Sequence, residues 1–313
     1  MGELRPFRFS VQCAETADRT TWCALARQVE ALGYSALYTA DHLDDCISPL
    51  APLVTAAEAT STLRVGVLVL NNDFRHPTLL AREATTIDLL TDGRLELGLG
   101  AGHSQPEYER NGLRFDAAGV RVSRLEESVQ ILRRLLDGET LTYHGEHYQL
   151  DGERCHPRPV QAHLPVLVGG GGRRVLSIAA RHADIVGFTG MGRTLADGNR
   201  HLATGFPEAA VDEQVAWVRS QAGDRLPGLE LQALVQAVVI TDEPAVAAQR
   251  IAPRLVPLAP EELLTTPYVL IGSVAQLVDR LRHQRERWGL SHYTVRSGAM
   301  EVFAPVVAAL AGS

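Results

Sequence analysis

The sequence predicts one (β/α)8 barrel, and three observations carry the prediction. Short β-branched apolar runs alternate with amphipathic helical stretches along the chain, about eight of each, the number at which a parallel sheet closes on itself. Residues 63–102, LRVGVLVLNNDFRHPTLLAREATTIDLLTDGRLELGLGAG, read strand, helix, strand in the order a parallel sheet requires. Strands also end in polar residues, Asp41-His42 after one and Asn71-Asn72 after another, which marks a face where chemistry collects.

Residues 7–12 alternate as a first strand. Trp22, Leu25, Ala26, Val29 and Leu32 recur at helical spacing and stop at Gly33, which suits a left-handed helix end. A second strand over 35–39 leads to Asp41-His42, and 52–60 is helical. Val65, Val67 and Val69 make a buried third strand, after which His76-Pro77 opens a helix striped by Leu79, Leu80, Ala84, Ile87 and Leu90. In 95–100 the leucines share one face and Glu96, Gly98 and Gly100 the other, an inward face with room for something flat. Residues 103–120 are polar and too long for an ordinary connection, so a functional or mobile loop is expected. Val122, Leu125, Val129, Leu132 and Leu136 form a periodic helix stopped by Gly138, and 140–150 alternate as a hairpin around His144-Gly145. Strand 165–168 runs into Gly169-Gly170-Gly171-Gly172-Arg173-Arg174 and a helix over 175–182, followed by strand 184–188. Residues 189–206 are irregular. Helix 207–221, strand 229–240, helices near 243–265, helix 273–288, strand 292–295 and helix 300–310 complete the alternation. The organisation is a single barrel over 1–313, with insertions near 103–120, 137–163 and 189–206.

Composition narrows the partners. The chain has 313 residues, 45% of them apolar, and no apolar run long enough to span a bilayer. The start, MGELRPFRFS, lacks a signal-peptide core, so a cytoplasmic protein is expected. A net charge of −7 and the absence of a basic block interleaved with aromatics argue against nucleic acid. All 30 basic residues are arginine, which with abundant alanine points to a GC-rich bacterial genome. Cys13, Cys23, Cys46 and Cys155 lack CxxC spacing, so reduced thiols are expected, with neither a zinc site nor a disulfide framework.

At the carboxyl face of such a barrel the candidates are Asp41, His42, Asn71, Asn72, His103, Glu107, Thr189 and Arg296. His42 suits a general acid or base, or a hydrogen-bond donor to developing negative charge. Glu107 with His103 is a second acid/base pair. Cys46 reads as pocket lining, since nothing in the sequence fixes a partner that would lower its pKa. Asp41, His42, Asp44 and Asp45 match no metal-ligand spacing, and no metal is expected. Gly169, Gly170, Gly171 and Gly172 before Arg173 offer backbone N–H groups at a helix start, suited to a phosphate; they lack both the P-loop and the dinucleotide spacing.

At Ala40-Asp41-His42, NNDFRHP, GLGAG and VLVGGGGRR followed by ADIVGF, the chain resembles the luciferase-like flavin monooxygenase superfamily, and within it the coenzyme F420-dependent oxidoreductases. The resemblance covers nearly the whole chain. It implies a TIM barrel binding a flavin or deazaflavin, with Gly169, Gly170, Gly171, Gly172 and Arg173 at the cofactor phosphate and Asp41 and Asn71 near the ring system. It implies a non-proline cis peptide near Leu68-Val69 behind the ring, and His42 as the active-site histidine with Glu107 as a further acid. Cys46, His103, Thr189 and Arg296 fall in the substrate pocket. Relatives often carry tryptophan where this chain has Cys46, and Trp-Asn where it has His103-Ser104; the first departure bears on alcohol oxidation, the second on the pocket floor. The implied activity is hydride transfer with F420 on an unidentified small molecule. The competing expectations are an FMN-dependent monooxygenase using dioxygen and a flavin-binding barrel without turnover. The resemblance also implies a homodimer, and actinobacteria are typical makers of F420.

Overall fold

The computed structural model describes residues 4–15, 17–43, 46–192, 194, 201–255 and 257–313. The first half of the chain alternates as expected: β1 (Arg8–Cys13), α1 (Arg19–Ala31), β2 (Ala36–Thr39), α2 (Ala51–Glu58), β3 (Arg64–Val67), β4 (Leu70–Asn71), α3 (Pro77–Leu90), β5 (Leu95–Gly100), a short α4 (Gln105–Arg110) and the long α5 (Ala118–Leu136). The predicted hairpin is present as antiparallel β6 (Leu141–His144) and β7 (Gln149–Glu153). Then come β8 (Val166–Gly170), α6 (Arg173–His182), β9 (Ile185–Phe188), α7 (Glu208–Ala222), β10 (Glu230–Leu234), β11 (Ala237–Ile240), α8 (Pro244–Ile251), β12 (Val269–Gly272), α9 (Val274–Trp288), β13 (Leu290–Arg296) and α10 (Met300–Leu310).

The staves are parallel and close: β1 pairs with β2 and β13, β3 with β2 and β5, β8 with β5 and β9, and β10 with β9 and β13. β3 and β4 are one stave interrupted at Leu68-Val69, whose peptide bond is cis, so eight staves form the (β/α)8 barrel. Helix starts follow local chemistry. His76 caps α3 with Pro77 at its first position, and Ser273 with Gln276 forms a capping box on α9.

Three sequence expectations change. The single strand expected over 229–240 is two, because after β10 the backbone turns outward: Val235 N–H still bonds Thr294 at 2.8 Å, but Gln236 N–H bonds Tyr268 at 2.7 Å. β11 then pairs with β12 in a two-stranded parallel ledge outside the barrel. The expected loop at 103–120 is packed, with α4 inside it and Tyr108 only 1% exposed. The room on the inward face of β5 is already filled by protein. A Cβ on Gly98 would stand 2.0 Å from the Val67 carbonyl oxygen, and one on Gly100 2.6 Å from Val69 Cγ2. The segment 189–206 is described only in part, and residues 193 and 195–200, Gly198 among them, lie outside the described residues.

Alternation sorts the side chains. Phe9, Val11, Leu37, Val65, Val168 and Val295 face the helices and join the main core. A small set, Ala36, Tyr38, Leu68, Leu167, Ile185 and Leu234, packs inside the barrel with Val69 against it. At the amino-terminal end of the barrel the interior is charged: Arg8 joins Glu96 and Glu230 at 2.7 Å each, Arg64 reaches Glu96 at 2.5 Å, and His292 Nδ1 faces Glu230 at 3.0 Å. Burial raises the Glu230 carboxyl pKa, but His292 and Arg8 outweigh it and hold the group at about 2. Arg8 and Arg64 likewise overcome burial to hold Glu96 below the usual range.

Candidate active site

The opposite, carboxyl-terminal end carries the candidate residues. Asp41 follows β2 and is 6% exposed. It accepts the Asn71 backbone N–H at 2.9 Å and the Arg75 fork at 2.6 and 3.3 Å, which ties the end of the second stave to the third. Asn71 Oδ1 in turn accepts the Tyr108 hydroxyl at 3.0 Å, and Tyr108 also bonds Asp73 at 2.9 Å. Arg124 pairs with Asp73 at 2.7 Å and with Asp116 at 2.5 Å, extending this lattice into α5.

His42 and Glu107 come together across 65 residues of sequence. His42 Nδ1 lies 2.7 Å from Glu107 Oε1, and the Leu43 N–H reaches Glu107 Oε2 at 3.4 Å. Glu107 is 4% exposed because α4 turns it inward, whereas the His42 side chain is 37% exposed. A carboxylate on Nδ1 fixes the ring and leaves Nε2 as the nitrogen able to exchange a proton at the mouth. The sequence paired Glu107 with His103; the structure pairs it with His42, and His103 stacks edge-on against that ring at 5.5 Å. The His201 ring lies 4.7 Å from His103 on the other side. Desolvation by the protein packed around the ring, with the neighbouring imidazoles of His201 and His42, lowers the His103 pKa to about 4, although the residue keeps an exposed face; it is neutral near pH 7.

Gly169 and Gly170 belong to β8, and only Gly171 and Gly172 form the turn into α6. Gly169 is needed by Val69, whose Cγ1 would stand 3.0 Å from its Cβ, so Val69 fills the gap between the third and fifth staves of the barrel. Gly172 caps α6 with no side-chain bond, a Cβ there would meet nothing within 4 Å, and the Arg173 guanidinium lies over Trp217 at 5.2 Å. Thr189 sits beside this turn, its Oγ1 at 3.7 Å from a Cβ on Gly171. Cys46 bridges by backbone to Glu15 beyond β1. Arg296 ends β13 and bonds Gln12 and, at 3.0 Å, Gln236. Gln12 Nε2 donates to the Leu68 carbonyl of the cis peptide.

Sequence reasoning missed Gln12, Arg75, Tyr108 and His201. Gln12 ends the first strand as Asn71 ends the third, so the same polar-terminus signal marks it; Tyr108 and His201 carry no such signal. Among the described residues no group of three or more His, Cys, Asp or Glu is arranged to hold a metal, and Asp44 and Asp45 lie outside those residues.

Residues 4–288 match the family model described as luciferase-like monooxygenase. The chain is similar to the F420-dependent glucose-6-phosphate dehydrogenase of Amycolatopsis mediterranei (strain U-32), 30% identical over 167 residues, which are 51% of this chain and 50% of that protein. It spans about half the length of the curated relatives it matches. Its fold resembles the coenzyme F420-dependent tetrahydromethanopterin reductase of Methanopyrus kandleri, with TM-score 0.77 and 18% identity over 98% of this chain and 100% of that one. It also resembles a long-chain alkane monooxygenase, with TM-score 0.75 and 14% identity over 98% and 91%.

Proposed function

The chain belongs to the luciferase-like monooxygenase family, and from that premise we propose that it is a coenzyme F420-dependent oxidoreductase acting on a small organic molecule. The His42–Glu107 pair at the barrel mouth carries the reading. The partial similarity to an F420-dependent dehydrogenase favours the deazaflavin over FMN.

The cofactor residues fit such a group. The uncapped start of α6 at Gly172, open above its Cα and followed by Arg173, suits a phosphate, with Gly169, Gly170 and Gly171 setting the approach. Asp41 and Asn71 tie the second stave to the third at the mouth, and Leu68 and Val69, joined by the cis peptide, would support the ring of a bound cofactor. Bound F420 supplies two-electron hydride chemistry. Hydride loss from a hydroxyl-bearing substrate leaves a proton behind, and His42 Nε2 takes it while Glu107 holds Nδ1 and stabilises the charged ring. In the reverse direction His42 returns the proton. Cys46, His103 and Thr189 line the substrate side. The proposal extends to a homodimer in the cytoplasm; no helix among the described residues is long and apolar enough to cross a membrane.

Fluorescence titration with F420 beside FMN tests the reading. Micromolar or tighter F420 binding without FMN binding supports it; preferential FMN binding moves the chain to oxygen-using monooxygenases. His42→Ala is expected to bind F420 as the wild type does and to lose turnover by about 10²-fold or more; full turnover removes His42 from the chemistry.

A further inference from the structure

Arg296 stands on the inward face of β13, in line with His292 and Thr294, at the carboxyl end of the stave. Its register partner on β1 is Gln12, whose side chain crosses to the Leu68 carbonyl, so the guanidinium lies in the top layer of the barrel interior. Its hydrogen-bond partners are two neutral amides, Gln12 and Gln236. Among the described residues no carboxylate lies within 4 Å of it, while the acids around the mouth are engaged elsewhere. Asp41 is held by Arg75, Glu107 by His42 and Asp73 by Arg124. Glu15, the acid closest in effect, accepts Ser297 at 2.7 Å and Cys13 at 3.0 Å. Burial lowers the Arg296 pKa more than Glu15 restores it. A sheltered guanidinium with only neutral partners retains N–H groups in a fork that matches an oxyanion.

We propose that Arg296 anchors an anionic group, a carboxylate or a phosphate, on the substrate that enters the barrel mouth. The substrate is then an acid or a phosphate ester. This rests on the oxidoreductase reading for what the site is for, but not for its anion affinity. The cofactor phosphate is assigned elsewhere: the α6 start follows β8, three staves from β13 in the order β13, β10, β9, β8. The two anions therefore occupy separate parts of the rim.

The test measures the rise in melting temperature with inorganic phosphate and with acetate, at ionic strength matched by sodium chloride. It is run on the Gly172→Asp background, which removes the helix-start site. That protein is expected to respond to one or both anions beyond the salt control, and the stronger response tells phosphate from carboxylate. Adding Arg296→Gln is expected to weaken the apparent affinity about tenfold or more. Arg296→Lys keeps the charge without the fork and is expected to fall between; it decides the case if the glutamine variant fails to fold. F420 binding, measured on Arg296→Gln alone, is expected to match wild type. Unchanged anion response in Arg296→Gln, or no anion response beyond salt before substitution, overturns the proposal. So does parallel loss of F420 and anion binding, which would make Arg296 part of the cofactor site. Failure of wild-type protein to bind F420 removes the F420-dependent reading and leaves the anion result to stand by itself.

Discussion

Replacing Gly100 with alanine is expected to destabilise the barrel by about 1–3 kcal/mol, because the new Cβ stands 2.6 Å from Val69 Cγ2. The far contact is a side chain, so the strain is removable: Val69→Ala takes away both γ-methyls. Val69 is partly buried, and its truncation alone costs about 1 kcal/mol at roughly 0.8 kcal/mol per buried carbon. If the clash is the whole effect of Gly100→Ala, the double variant is no less stable than Val69→Ala, and the coupling is about 1–3 kcal/mol. Gly98→Ala supplies the contrast, since its Cβ meets the Val67 carbonyl oxygen at 2.0 Å, which is backbone and which Val69→Ala cannot move. Urea midpoints at constant m-value give the four corners of the cycle. F420 titration of the same proteins reads the second consequence: displacing Val69 is expected to weaken the cofactor, whereas Val69→Ala with Gly100→Ala recovers stability without recovering that affinity. Additive stabilities for Gly100 and Val69, or rescue of Gly98→Ala by Val69→Ala, would refute this packing.

Two further outcomes follow from charges. The His103 pKa is lowered from 6.5 to about 4 by desolvation and the flanking His201 and His42, so as pH falls through that window the unfolded chain takes up a proton the folded chain refuses. Stability is therefore lost on acidification, and because the His103 side chain keeps an exposed face, where solvent screens its neighbours, His103→Gln is expected to narrow the drop in urea midpoint between neutral pH and about pH 5 only modestly; an unaltered drop argues against a lowered pKa for this ring. Gly172→Asp places a carboxylate at the uncapped start of α6 and is expected to weaken F420 about tenfold by titration, while Gly172→Ala, with nothing within 4 Å of its Cβ, leaves affinity and stability near wild type.

The staves were legible where patterning is local. Val65 and Val67, or Leu95, Leu97 and Leu99, announce strands because the pleat puts alternate residues on one face. The polar ends at Asp41, Asn71 and Arg296 marked the mouth for the same reason. What escaped depends on contacts distant in sequence. Residues 229–240 are apolar almost throughout, and nothing local shows that Gln236 leaves the barrel to bond Tyr268. Glu107 stood beside His103 in sequence, but the turn of α4 gives it to His42. Gly98 and Gly100 suggested a space for a ligand, when the backbone and side chain of the neighbouring stave already occupy it.

The lattice of Arg8, Glu96, Arg64 and Glu230 gives the barrel a direction. Ions locked to one another fill that end of the interior, and Tyr38, Leu68 and Leu167 pack inside the same barrel, so the interior is a filled plug and the candidate residues stand at the opposite rim. The loops around that rim can be rewritten while the base, whose charges would be stranded by any single replacement, keeps the barrel in shape.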